Sequence, residues 1–367
     1  MITHAELDKL RCILAPEESV LSLYLEVPLD PTSLRELPAR AHDLIKAAAE
    51  GKVACLSPED EKVACSLVRG HAREWLGHSL AIFVCGELGL LEVMPLPGGL
   101  AERAVLAARP HVRPLLASLQ RHPDHRIVII DNRHAWLLAV VEDRVETVAV
   151  APGPNLPTSG FGGWYGLESY HVERRITELA RHHYRDAAWI LERAAKDSGA
   201  QPFVIGGHAD GIKHLLGALP GGIRESYAGC FAADPRTLTP ARARELAAPV
   251  INHWASRRER DALEQLTGPA SRVRAAIGLH GCLAAVNAGA VDLLLIPDGG
   301  LVPGYRCERC DVLSVTGNEC CDWGCASRAV PDLLEEMALR TLHEGGDVMS
   351  LHRLLCGVAA RLLPAGR

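Results

Sequence analysis

The chain has 367 residues, of which 48% are hydrophobic and 23% charged, which is the composition of a soluble globular protein with two or three domains. Its formal net charge of −6 excludes a protein that binds polyanions over its whole surface, so a contact with nucleic acid requires a local basic face. The N-terminus lacks a secretory signal, and the most apolar stretch, residues 281–297, is too short to span a bilayer. We therefore expect a cytoplasmic protein without a membrane contact.

The first module, residues 1–120, mixes strand and helix patterns. Ser57 and Asp60 have the spacing of a capping box and open a helical pattern that continues to about residue 76. A turn at residues 87–89 separates two short β patterns. The predicted strands of this module are residues 19–27, 79–85 and 89–96.

The second module, residues 121–267, begins with three β patterns joined by short turns, which predicts three consecutive antiparallel strands. A glycine-rich loop and a helix of about eight turns follow, and Gly199 closes the helix. The predicted strands are residues 125–131, 134–141, 144–150 and 202–207. The apolar face of the long helix is Ile176, Leu179, Ala180, Tyr184, Ala187 and Leu191.

The third module, residues 268–367, predicts helices and strands around a cysteine-rich insertion at residues 303–327. Together the modules predict an α/β (α+β) fold in three domains, 1–120, 121–267 and 268–367. The elements predicted here are a helix at 271–290, a strand at 291–298, a helix at 330–346 and a strand or helix at 348–355.

The cysteine-rich insertion holds five of the 12 cysteines, with Cys307 and Cys310 in a C-x-x-C pair. Two pairs of thiolates suit a tetrahedral structural zinc site, and such clustering favours a metal in a reducing compartment. Cys307, Cys310 and Cys325 are the predicted ligands, with Cys321 as the fourth and Cys320 competing for the same place. The alternatives are cysteines that merely neighbour one another, or a redox pair, for which the strand–helix context is missing.

The long helix also carries a candidate RNA-binding face, formed by Arg174, Arg175, Arg181 and Arg185. Arg174, Arg181 and Arg185 share one helix face, where they could hold phosphate groups. Acidic residues are interleaved with them, so an ordinary solvated face with salt bridges is the alternative.

The order of these features resembles the archaeo-eukaryotic class I release factor and Pelota family, and more narrowly its bacterial branch. The resemblance covers about residues 120–360 and rests on the glycine loop "TSGFGGWYGLESY", the long helix after it, and "GCLAAVNAGAVDLLLIPDGG" before a zinc-ribbon-like insertion. It implies an RNase-H-like middle domain and a third domain like kink-turn-binding ribosomal proteins. It further implies a tRNA-like outline, with the ribosome, rRNA and tRNA as partners, together with a translational GTPase.

In the release factors this loop carries Gly-Gly-Gln, which helps water attack the ester of peptidyl-tRNA. Gly162 and Gly163 match the two glycines, whereas Trp164 stands where the family has Gln. Indole has one N–H donor and no carbonyl acceptor, which places ester hydrolysis in question. Trp164 could instead stack on RNA, or pack into a seam between domains.

Three functions follow from these features. The first is a release-factor-like protein that acts at the ribosomal A site in rescue or termination-like peptide release. The second is a non-catalytic hibernation or silencing factor, in which Trp164 blocks the site instead of supporting hydrolysis. The third is a zinc-stapled RNA-binding module that acts away from ribosomes.

Overall fold

The chain forms two compact units in the computed structural model. One unit combines Met1–Gln120 with Glu259–Arg367, and the other is Arg121–Arg258. A unit built from two chain segments can still hold two domains, so the three-domain division stays a prediction. Within the described residues, no helix is long and apolar enough to cross a membrane. The structure describes residues 4–50, 56–131, 134–141, 144–152, 167–199, 201–268, 274–317, 325–351 and 357–363.

The N-terminal segment of the first unit forms a four-stranded antiparallel sheet with the order β3-β2-β1-β4. This sheet confirms the three strands predicted from β patterns and adds β4 at its edge. The elements are α1 His4–Arg11, β1 Val20–Glu26, α2 Leu37–Ala49, α3 Pro58–His71, β2 His78–Cys85, β3 Leu90–Pro97, β4 Arg103–Ala107 and α4 Arg113–Arg121.

Both faces of this sheet are covered. Leu21, Leu23 and Leu25 of β1 pack in one core cluster with residues of α2 and α3. Tyr24 points to the opposite face, as the alternation of side chains along a strand requires, and packs in a second cluster with α1 and α4. That second cluster includes Leu339 from the C-terminal segment, so the two segments of this unit share a hydrophobic core.

The capping prediction for α3 is correct in one half and wrong in the other. Ser57 is the N-cap residue, and its side chain accepts a hydrogen bond from the Glu59 backbone N–H at 3.2 Å. Asp60 does not complete a capping box, because its carboxylate accepts the Gly86 backbone N–H at 3.1 Å. This tertiary contact ties α3 to the end of β2.

The second unit is built on a five-stranded mixed sheet with the order β7-β6-β5-β8-β9. Strands β5, β6 and β7 are antiparallel neighbours, as predicted, and β8 and β9 run parallel to β5. This layout agrees with the RNase-H-like fold that the resemblance implies. The elements are β5 His125–Ile130, β6 His134–Val141, β7 Arg144–Pro152, α5 Leu167–Ser198, β8 Phe203–Gly207, α6 Ala209–Ala218, α7 Gly221–Arg224, β9 Tyr227–Ala232 and α8 Pro240–Thr267, of which the residues from Glu259 on belong to the first unit.

Helices cover the two faces of this sheet. Val128 and Ile130 of β5 pack with α5 and α6, where the buried side chains of α5 include Tyr184 and Leu191. Ile127 and Ile129 face the other way and pack against α8. The helix α5 is thereby held by one face, which leaves its opposite face exposed.

The C-terminal segment of the first unit contributes a sheet with the order β10-β16-β11-β15 and a small sheet with the order β13-β12-β14. These sheets confirm the mixed α/β fold class, whereas the zinc ribbon stays a prediction. The elements are β10 Ala275–Ile277, α9 Leu279–Asn287, β11 Val291–Pro297, β12 Gly304–Cys307, β13 Leu313–Ser314, β14 Ser327–Val330, α10 Leu333–His343, β15 Asp347–Leu351 and β16 Ala359–Leu362.

The predicted helix at 271–290 is wrong in its first part. Ala275–Ile277 form a strand that pairs with β16, and the helix starts only at Leu279. Gly278, with φ +83°, separates the two elements in a backbone conformation that favours glycine. The ambiguous stretch after residue 347 begins as strand β15.

Candidate functional site

The exposed side of α5 carries a line of side chains at four-residue spacing: Arg181, Arg185, Trp189 and Arg193. Residues four apart are neighbours on the surface of a helix, so these side chains form one ridge about 18 Å long at 1.5 Å rise per residue. We call these four residues the α5 ridge. All four are exposed, while His183, Tyr184 and Ala187 between them are buried.

The two predicted arginines of the α5 ridge lack acidic partners. Arg181 and Arg185 form neither a hydrogen bond nor an ion pair with any residue that the structure describes. The neighbouring carboxylate Glu192 pairs with Lys196 at 2.9 Å instead. Within the described residues, no salt bridge of the kind that the alternative interpretation requires forms at Arg181 or Arg185. Their positive charges are therefore available to an external anion.

Trp189 and Arg193 extend this face beyond the residues that the sequence indicated. Trp189 is 56% exposed, and the Arg193 guanidinium carbon lies 5.5 Å from the centre of its ring. The signal was present in the sequence, because both residues continue the four-residue spacing that starts at Arg181.

The other predicted residues of this region lie partly or wholly outside the described structure. Arg174 and Arg175 lie in helix α5, but their side chains are not among those that the structure describes. Gly162, Gly163 and Trp164 are outside them altogether. Their roles stay predictions.

The C-x-x-C pair lies in a tight turn, Cys307–Asp311, which we call the cysteine turn. The Cys307 sulfur accepts hydrogen bonds from the backbone N–H groups of Arg309 and Cys310, both at 3.4 Å. Cys307 is buried, and the two backbone N–H groups directed at its sulfur would also stabilise the thiolate that a bound metal requires. The turn is thus suited to hold a metal ligand.

The end of the cysteine turn is held by a bidentate ion pair. Asp311 has φ +61° and is the one described non-glycine residue with positive φ. Its two carboxylate oxygens each accept a hydrogen bond from Arg306 at 2.8 Å, and its backbone N–H donates to the Cys307 carbonyl at 3.1 Å. These contacts offset the unfavourable backbone conformation and keep the turn closed.

The small sheet brings the third predicted ligand towards this turn. Cys307 of β12 pairs with Ser327 of β14, and the Glu308 N–H donates to the Ala326 carbonyl at 3.1 Å. Cys325 therefore comes directly before the residue that contacts the cysteine turn. Cys320 and Cys321 lie outside the described residues, so the identity of a fourth ligand stays open.

A second feature, which the sequence did not indicate, is a buried ionic cluster of His111, Arg113, Asp332 and Glu335. Asp332 is the N-cap of α10, and its carboxylate accepts from His111 Nε2 at 2.9 Å and from Arg113 Nη1 at 2.9 and 3.1 Å. Glu335 accepts the backbone N–H groups of Val112 at 2.8 Å and Arg113 at 2.9 Å. The cluster joins the two chain segments of the first unit.

The side chains of His111, Asp332 and Glu335 lie within 4.8 Å of one another, which is close enough to bind a metal ion. The Arg113 guanidinium, however, already contacts both oxygens of Asp332. A fixed positive charge at this place opposes a bound cation. The chemistry of the buried ionic cluster is therefore that of a structural ion pair.

Burial affects the two carboxyl groups of this cluster differently. Burial alone would raise the pKa of Asp332, but the hydrogen bond from His111 and the charge of Arg113 hold that pKa below its usual range. Burial raises the pKa of Glu335 above its usual range, against the opposing effect of the nearby His111. Asp332 is thus the carboxylate that carries the negative charge opposite Arg113.

Comparison with known proteins links the second unit to a family. Residues 110–258 match the model of the bacterial archaeo-eukaryotic release factor family 10. No curated protein matches the chain.

Several solved structures are similar at low identity. An archaeal translation termination factor, aRF1, is 15% identical, with 98% of this chain and 96% of that chain covered and a TM-score of 0.24. A model of ribosome-bound archaeal Pelota and ABCE1 is 16% identical, with 78% and 77% covered and a TM-score of 0.40. Dom34 of S. cerevisiae, a translation termination-like factor that interacts with Hbs1, is 11% identical, with 78% and 79% covered and a TM-score of 0.39.

The matched residues 110–258 include the glycine loop, the α5 ridge and all of the second unit. They confirm the resemblance to the bacterial branch of the release factor and Pelota family. Over residues 110–258, the chain is thus similar to the bacterial archaeo-eukaryotic release factors of family 10.

Proposed function

We propose that this protein binds the ribosome at the A site as a tRNA-like, release-factor-like factor, in translation rescue or termination-like peptide release. The observation that carries the proposal is the pair of exposed arginines, Arg181 and Arg185, without acidic partners in the described structure of a release-factor family domain. On a protein with a net charge of −6, such a pair marks the local basic face that contact with RNA requires.

The glycine loop gives this proposal its chemistry. Gly162 and Gly163 would let the loop backbone approach RNA closely, because glycine has no side chain and reaches positive φ. Trp164 in place of Gln favours a second candidate, a hibernation or silencing factor that occupies the A site without hydrolysing the ester.

The relatives suggest which partners to test. Pelota is described as ribosome-bound together with ABCE1, and Dom34 as interacting with Hbs1. We infer the ribosome, with its rRNA and tRNA, as the primary partner, and a translational GTPase as the protein partner that the resemblance implies. The cysteine turn, with Cys325 and one of Cys320 and Cys321, would hold zinc as a structural staple.

Replacing Gly163 with Val tests the loop. The β-branched side chain disfavours positive φ and fills space that RNA would need, so we expect ribosome association to weaken while the fold survives. The measurement is co-sedimentation with ribosomes that hold labelled peptidyl-tRNA, followed by an assay of peptide release. Thermal unfolding of the same variant controls for folding.

The release assay separates the two candidate functions. Peptide release by the wild type that is abolished in Gly163→Val supports a release or rescue factor. Tight ribosome binding without release supports the silencing factor. A wild type that does not sediment with ribosomes contradicts both and favours the RNA-binding module acting elsewhere.

The salt dependence of ribosome binding tests the arginines. Removing one arginine that binds a phosphate group should reduce the slope of log K against log salt by about 0.7–0.9. We therefore expect the double variant Arg181→Ala/Arg185→Ala to flatten this slope by about 1–2. Arg242→Ala is the matched control, because Arg242 is also an exposed helical arginine but already pairs with Glu245 at 2.6 Å. Equal slopes for the wild type and the double variant would exclude phosphate binding by these residues.

A further inference from the structure

Trp189 is exposed in a way that packing does not explain. Tryptophan is usually largely buried because its indole removes a large apolar surface from water. Here 56% of Trp189 stays exposed on a helix whose opposite face supplies the core. An exposed indole offers a flat aromatic ring on which a ligand can stack.

The surroundings of the ring are cationic. Arg193 lies 5.5 Å from the ring centre, at the distance of a cation–π contact, which restricts the motion of both side chains. Arg185 precedes Trp189 by one helical turn, so the aromatic ring lies between two guanidinium groups along the α5 ridge. Neither arginine forms an ion pair with a described residue.

The cavity beside Trp189 has walls that are partly apolar. It differs in this from a cavity of about 410 Å³ in the first unit, which is lined by both acidic and basic side chains. The volume of the cavity beside Trp189 is about 310 Å³, and Trp189, Arg193, Leu137 and Val148 are among its lining residues. This is within the range of about 300–1,000 Å³ that small-molecule sites occupy. Apolar walls next to a guanidinium suit a flat aromatic group attached to an anion.

We propose that Trp189 and Arg193 form a binding site for an unpaired RNA base, whose flanking phosphates lie on Arg181 and Arg185. Aromatic rings stack on bases of every type, and Arg adds a cation–π contact and a phosphate contact. The bases of a duplex are stacked inside it, so the ligand is a single-stranded or bulged segment. This inference rests on the proposed contact with ribosomal RNA and names the part of the RNA that is bound.

The charge of the α5 ridge favours RNA over a protein partner. Three arginines in line without acidic partners in the described structure would repel most basic surfaces and require a ligand with repeated negative charge. A nucleic acid strand combines such charges with flat aromatic groups, and the α5 ridge combines guanidinium groups with an indole.

The test compares two probes that differ only in their bases. One is a short single-stranded oligoadenylate, and the other is an abasic oligomer with the same number of phosphates. The full-length wild type should bind the oligoadenylate more tightly by about 5- to 150-fold, the factor expected from stacking of one base. In Trp189→Ala this preference should fall to about one, while Trp189→Phe should keep most of it.

Controls separate this inference from the proposed function. Leu91→Ala changes a similarly exposed apolar residue in the other unit and should leave both probes unaffected. Thermal unfolding of Trp189→Ala should match the wild type, because the side chain is exposed. Equal binding of the two probes by the wild type, or an undiminished preference in Trp189→Ala, would overturn the base-binding site. Ribosome binding that still depends on Arg181 and Arg185 would then leave the proposed function standing.

Discussion

Replacing Asp332 with Asn should destabilise the first unit by about 3–5 kcal/mol, the range found when one partner of a buried ion pair is removed. Asn is as good an N-cap as Asp, so this change isolates the charge from the capping of α10. Arg113, which is fully buried, would keep its positive charge without the carboxylate that it contacts at 2.9 Å. Chemical denaturation followed by circular dichroism measures the loss.

Two further variants make this prediction specific. Asp30→Asn changes an exposed capping carboxylate and should leave the denaturation midpoint nearly unchanged. The double variant Asp332→Asn/Arg113→Met removes both charges, and it should be more stable than Asp332→Asn alone, since no uncompensated charge remains. A single variant as stable as the wild type would show that the buried ionic cluster contributes little to folding.

The effect of pH on this loss has a definite sign. The pKa of Asp332 is lowered in the folded state, so its contribution to stability is present near neutral pH and is lost as the pH falls through that pKa. The pKa of Glu335 is raised in the folded state, so its dependence on pH has the opposite sign. The contribution of Glu335 to stability is present at low pH and is lost as the pH rises through that pKa. The difference in stability between wild type and Asp332→Asn should therefore narrow at acidic pH, because protonated Asp332 resembles Asn.

Local periodicity was sufficient to predict the elements that the core requires. The 32-residue helix α5 shows a helical apolar pattern because it buries one face, whereas β5 is a continuous apolar run because both faces of its sheet are covered. The strand β10 has only three residues and depends on β16, which lies more than 80 residues later. The local sequence pattern favoured a helix at this place. The strand forms instead because it pairs with a segment that is distant in the sequence.

The same distinction applies to the candidate sites. Cys307 and Cys310 are neighbours in sequence, so their spacing alone suggested a metal site. His111 and Asp332 are 221 residues apart, and no local signal connects them before the chain folds. The α5 ridge is intermediate, since helical spacing pointed to Arg181 and Arg185 but only the structure shows which of the helix's charges are paired.

Removal of the zinc ion that we propose at the cysteine turn should also have a large effect on stability. The small sheet of this turn contributes Leu313 and Val330 to the core cluster that α9 and α10 form, so the turn and this core depend on each other. A structural zinc ion contributes directly to folding free energy, by about 10–16 kcal/mol in isolated zinc-finger peptides. Here the metal would supplement an existing core, so its removal should loosen the C-terminal segment without abolishing its folding.

Purified protein should therefore contain about one zinc ion per chain, and Cys310→Ser should lose it. The thermal midpoint of the first unit should fall by more than about 5 °C, since each kcal/mol of destabilisation shifts the midpoint of a unit of this size by about 2–4 °C. Cys12→Ser, an exposed cysteine outside the insertion, is the matched control and should retain both metal and stability. Metal analysis and thermal unfolding in the presence of a chelator measure the two effects. A metal-free wild type that unfolds at the same temperature with and without added zinc would show that Cys307, Cys310 and Cys325 do not form a structural metal site.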